Sequence, residues 1–158
     1  GMSLKQFNVT YLPHEDRIVF RFNTVDQSEY KFWLTRRLTH FILTATSKFV
    51  EKEYNQHPHT VENVISQTQQ AESQAPSFNQ AYTPGTKFPF GVDAILVMDV
   101  KCEMIQIEEQ DIFSLDFLLP GGGNINLKLP MPVMKSIYLL LEEQNMNAKW
   151  GNPTITFH

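Results

Sequence analysis

The side chains best suited to hold a ligand are Arg17, Arg21, Lys31 and Trp33, which share one face if residues 17–23 and 29–34 are neighbouring strands. Successive side chains of a strand point to opposite faces. Ile18, Phe20 and Phe22 therefore form a buried face, and the cations and the indole lie opposite. Cations beside an aromatic ring on an open sheet suit single-stranded nucleic acid, because the charges follow the phosphates while the ring stacks a base. The competing account is a solvated face whose arginines pair with Glu15, Asp16 or Glu29, with Trp33 at an interface. Arg36 and Arg37 follow at once, in the expected first turn of a helix, where the macrodipole disfavours cations. Two guanidiniums converging with free backbone N–H groups would suit an anion. The same pair could instead reach back to the acidic turn at Glu15 and Asp16.

Other reactive types carry less. His57 and His59 need ligands from elsewhere to hold a metal, and His14, His40 and His158 are scattered without a zinc or calcium spacing, so no metal and no cofactor is expected. No serine is framed by glycines as a nucleophile, and Cys102 falls on an apolar strand face, where a thiol is usually inert packing. Glu108, Glu109 and Asp111 cluster at a turn and read as solubilising charge. Gly121, Gly122 and Gly123 lack the lysine and the strand-to-helix setting of a phosphate loop and read as a hairpin turn.

The elements that would position these groups follow from alternation and helical spacing. Residues 4–12, 17–23 and 29–34 form a three-stranded meander, broken at 13–16 by Pro-His-Glu-Asp. Thr35 stands as the cap of a helix from about 36 to 54, with Leu38, Phe41, Ile42, Ala45, Phe49 and Val50 at helical spacing. The same reading returns 95 positions later without a gap: Phe113, Leu115 and Phe117, then Ile125, Leu127 and Leu129, then Val133, Ile137 and Leu140. The expectation is an α+β protein of two tandem meander-plus-helix units (βββα, linker, βββα) packed as one pseudo-twofold domain, with units at 1–54 and 92–158. Residues 55–91 are rich in Gln, Ser, Asn, Thr and Pro and read as a polar linker, with a short helix plausible around Val61, Val64 and Ile65. Residues 92–108 are strand-like, but their phase slips, which predicts a bulge or break near Glu103.

Composition narrows the partners. The net charge of −4 is divided, with eight Lys or Arg against six Asp or Glu in residues 1–54 and four against nine in residues 93–150. An anionic partner would thus have to meet the first half. The lone Cys102 excludes an internal disulfide and makes a reducing, cytoplasmic location the expectation. No run is long and apolar enough for a membrane span, and no membrane partner is expected.

By topology only, two sheet-plus-helix repeats resemble the Whirly and Pur-alpha groups, which bind single-stranded nucleic acid on their sheets; none of their motifs is matched. The resemblance implies a non-enzymatic binding or assembly module, a homo-oligomer being open, that contacts single-stranded nucleic acid through the first sheet. The alternative is a structural or adaptor protein that binds another protein through a sheet edge or the 55–91 segment. An enzyme with a dispersed site is the third class.

Overall fold

Apolar alternation does produce strands buried on one face. In a computed structural model, which describes residues 4–56 and 81–151, the first meander is β1 (Leu4–Leu12), β2 (Arg17–Thr24) and β3 (Glu29–Leu34). Ile18, Phe20, Phe22, Phe32 and Leu34 are all buried. Helix α1 (Arg36–Gln56) follows, its start capped by the Thr35 hydroxyl, which accepts from the Leu38 N–H at 3.4 Å. The second meander is β5 (Asp99–Ile107), β6 (Gln110–Leu118) and β7 (Asn124–Pro130), followed by α2 (Met131–Ala148). A two-residue strand, β4 (Ile95–Leu96), precedes it and lies parallel to β3. Among the described residues the fold is thus mixed α+β, with two sheets, ordered β1-β2-β3-β4 and β5-β6-β7, and two α-helices.

Pairing within the two units agrees in part. Ile18 faces Leu34 and Phe22 faces Tyr30, while Phe113 faces Leu129 and Phe117 faces Ile125, each pair displaced by the offset of 95 seen in the sequence. The first hairpins differ. β1 and β2 meet at Leu12 and Arg17 across a four-residue turn, whereas β5 and β6 meet at Ile107 and Gln110 across Glu108 and Glu109 alone. Both glutamates sit at positive φ, 52° and 65°, the conformation a two-residue hairpin turn needs.

The helices pack crosswise. α1 lies against α2 and β5, and α2 lies against α1 and β1. A single apolar core results, in which the Phe117 ring meets Phe20 at 5.8 Å and Phe32 at 5.3 Å, and Phe49 of α1 meets Phe113 at 5.4 Å. Edge-to-face aromatic contacts of this kind add to the burial that holds the two sheets together.

The expected bulge or break near Glu103 is absent. β5 pairs with β6 without interruption through Glu103, Met104 and Ile105. The phase changes instead at Val97 and Met98, where the chain leaves the first sheet for the second: Val97 N–H donates to the Trp33 carbonyl and Met98 N–H to the Leu118 carbonyl. Ile105 lies opposite Ile112 on the outer face of β5, and its pairing with β6 is unbroken. The short helix expected near Val61 lies outside the described residues. Among the described residues no helix is long and apolar enough to cross a membrane.

Candidate functional site

Strand pairing sets the outer face of the first sheet in rows. Gln6, Asn23 and Glu29 form one row, Asn8, Arg21 and Lys31 the next, and Thr10, Val19 and Trp33 the third. Arg17, Arg21, Lys31 and Trp33 are therefore gathered on one face, as expected. Each cation, however, is engaged within the chain. The Arg17 guanidinium lies 4.1 Å above the Trp33 ring and donates to Glu15 at 2.6 Å. Arg21 lies 4.2 Å above the Tyr82 ring, and its Nε donates to Asn8 Oδ1 at 3.2 Å. Lys31 Nζ donates to the Val92 carbonyl at 3.2 Å and stands 3.6 Å from Glu29. Arg36 and Arg37 are exposed on the first turn of α1, and the charge of Arg36 acts on Asp16 of the acidic turn.

Tyr82 and Val92 reach this face because residues 81–92 run across it as a strap. The anchors are polar and mutual. The Asn23 amide donates to the Thr83 carbonyl at 2.7 Å, and Gln6 Oε1 accepts from the Thr83 N–H at 3.1 Å. Glu29 Oε1 accepts from the Tyr82 hydroxyl at 2.8 Å and from the Gly85 N–H at 2.9 Å. At the turn, Thr86 and Lys87 N–H groups both donate to the Gln27 carbonyl, and Glu29 N–H donates to the Lys87 carbonyl. Glu29 is only 1% exposed; Oε1 takes these two donors, and Oε2 stands 3.6 Å from Lys31 Nζ. Burial, then the neighbouring Glu29, pushes the Tyr82 hydroxyl far above its ordinary range.

Beyond the strap an apolar strip is open to solvent. Trp33 pairs with Leu96 across β3 and β4. Leu96, Met98 and Leu118 are 37%, 49% and 43% exposed, while Val97 between the first two is buried. Since Val97 bonds to β3 and Met98 to β6, the strip crosses the seam between the sheets on one continuous outer surface. Next to Leu118 lies an open hollow of about 300 Å³ lined by Asp99, Val100, Lys101, Asp116 and Asn124.

A second polar cluster escaped the sequence reading altogether. Asp16 Oδ1 accepts from the Tyr11 hydroxyl at 2.6 Å and from the Trp150 indole N–H at 3.1 Å. These two donors, with Arg36 adding its charge, hold the Asp16 carboxyl below the usual carboxylate range. His40 Nε2 lies 2.9 Å from Asn145 Oδ1, and the Asn145 amide donates to the Gly151 carbonyl at 2.7 Å. The cluster ties the β1–β2 turn to the end of α2. Only proximity after folding reveals it, since Asp16 and Trp150 are 134 residues apart.

Among the described residues no group of three His, Cys, Asp or Glu side chains gathers to hold a metal. Burial, and then the charge of Asp116, pushes the Cys102 thiol up to about 12, which keeps it from acting as a thiolate near neutral pH. No family model, curated protein or solved structure matches this chain.

Proposed function

We infer that the chain is a non-enzymatic binding or assembly module whose ligand is another polypeptide, docked on the outer surface at the seam of the two sheets. The observation that carries this reading is the exposed strip of Leu96, Met98 and Leu118 beside Trp33, next to cations that already have partners. An apolar strip bordered by charge is the anatomy of a protein interface. Single-stranded nucleic acid on the first sheet is the second reading. It is favoured by the placing of Arg17, Arg21 and Lys31 around Trp33, and opposed by Arg17, which covers the Trp33 ring that a base would stack on, and by Tyr82, which lies against the Arg21 guanidinium that would meet a phosphate.

The two units are further inferred to be repeats about a pseudo-twofold axis. The shared β2–β3 and β6–β7 register and the reciprocal packing of each helix on the other unit's first strand support this. It would be lost if residues 17–46 failed to superpose on 112–141 in an experimental structure.

One experiment separates the ligand readings. A photo-activatable residue at position 98 in cells is expected to yield polypeptide adducts that vanish with Leu118→Glu. Oligothymidylate titrated into the purified chain at low salt is expected to leave Trp fluorescence unchanged. Absence of adducts, together with oligonucleotide binding that weakens with salt and with Arg21→Ala, would restore the nucleic-acid reading.

A further inference from the structure

We propose that the open hollow beside Leu118 binds an extended segment of another polypeptide by its main chain, as the outer face of the first sheet already binds residues 81–85 of this chain. This rests on the seam being a polypeptide-docking surface and names the form of the partner. Strand pairing puts the two places at the same register. In the first sheet the strap lies on Gln6, Asn23 and Glu29, which face one another across β1, β2 and β3, and on Arg21, which faces Asn8. In the second sheet Asp99, Leu118 and Asn124 face one another across β5, β6 and β7, and Asp116 faces Lys101. Asn23, Glu29 and Arg21 move onto Leu118, Asn124 and Asp116 by the offset of 95 that relates the strands. Those three, with Asp99 and Lys101, line the hollow. The ground that the strap covers on one sheet is thus the ground left open on the other.

The strap shows what such ground holds. Gln6, Asn23 and Glu29 bond to its main chain, at the Ala81 and Thr83 carbonyls and the Thr83 and Gly85 N–H groups, and the Tyr82 hydroxyl adds one side-chain bond. Main-chain hydrogen bonds give affinity for an extended chain, and side-chain contacts choose among sequences. The residues exchanged at the hollow set that choice. Asn124 turns its Nδ2 to Asp116 at 3.4 Å, so its Oδ1 is the atom able to accept a main-chain N–H, as Glu29 Oε1 accepts that of Gly85. Leu118 stands where Asn23 gives a hydrogen bond, so the segment brings an apolar side chain there. Asp116 replaces the guanidinium under Tyr82, and an aromatic ring, whose face is negative, has no attraction for a carboxylate. The strap of a second copy is therefore not the occupant. Charge contributes little, because Lys101 and Asp116 face each other.

Peptides test this. From a library of random linear peptides of the strap's length, selected on the purified chain, binders are expected that share one apolar position and weaken by about tenfold or more with Leu118→Glu and with Asn124→Ala. Both positions are exposed, so circular dichroism should be unchanged. The decisive arm is N-methylation of a bound peptide, one main-chain nitrogen at a time, which is expected to cost about tenfold at one position or more. Absence of binders overturns the proposal, as do binders indifferent to both substitutions or to every N-methylation. If it fails while position 98 still yields polypeptide adducts that Leu118→Glu removes, a folded surface docks at the seam, and only the extended segment is lost.

Discussion

Substituting Gly85 by alanine should unlatch the strap. Gly85 does not need a positive φ; it is required for space, because a Cβ there would lie 2.5 Å from the Gln27 carbonyl oxygen and 3.1 Å from Glu29 Cβ. The Gln27 oxygen cannot retreat without losing the Thr86 and Lys87 N–H groups that it accepts. The strap must therefore move, and the Gly85 N–H leaves the buried Glu29 carboxylate. Overpacking costs about 1–3 kcal/mol. A lost hydrogen bond to a charged group costs about 1.5–3 kcal/mol. Reduced entropy of the unfolded chain returns about 0.4–1 kcal/mol. The net expectation is about 2–5 kcal/mol of lost stability in urea unfolding followed by tryptophan fluorescence. Gly123→Ala is the control, since its Cβ would meet nothing within 4 Å and its φ is −72°. A Gly85→Ala protein within about 0.5 kcal/mol of wild type would refute the close approach and with it the latch.

The Asp16 cluster gives a pH dependence. The carboxyl is held low in the folded state, so its stabilisation is present above the unfolded value near 4 and is lost as pH falls through the folded value. Asp16→Asn should flatten that acid limb in unfolding curves at pH 3 and 7, and an unchanged slope would reject the assignment. Glu109→Gly should raise stability by about 0.5–1 kcal/mol because glycine adopts its positive φ without strain, read as a shift in the urea midpoint. Cys102 should react with iodoacetamide at pH 8 far more slowly in the native protein than in urea, as burial raises its thiol to about 12; equal rates would place it at the surface.

What the sequence disclosed and what it withheld divide along sequence distance. Ile18, Phe20 and Phe22 announce their strand because alternation is a local signal, and Thr35 announces a helix because a cap and the N–H it satisfies are neighbours. The cations of the first sheet were placed on the correct face for the same reason. Their partners were not legible. Tyr82 arrives from 53 residues beyond Glu29, out of a segment whose polarity suggested solvent, and its anchors are mostly backbone groups without side-chain periodicity. Crosswise helix packing was equally hidden, since the apolar stripe of Leu38 and Ile42 reads alike whichever sheet it covers. The phase slip in residues 92–108 did not mark a break: Ile105 and Ile107 lie on the outer face of an unbroken β5, and the change of face comes earlier, at Val97 and Met98. Alternation records which side of the chain is buried, and burial at Val97 changes reference when the chain passes from one sheet to the next.

That crossing explains why apolar side chains are left at the surface. A two-residue strand cannot be stable alone, so β4 exists because Val97 is buried beneath it and because its N–H and that of Met98 bridge β3 to β6. With Val97 turned inward, Leu96 and Met98 on either side must face out. Geometry dictates that these two positions are exposed, but not that they are apolar. Lysine or threonine there would satisfy the same backbone bonds at no cost in desolvation. Neither the seam nor the core therefore accounts for leucine and methionine at these positions, nor for Leu118 beside them. Docking of another polypeptide at the seam, as proposed above, would remove all three from water.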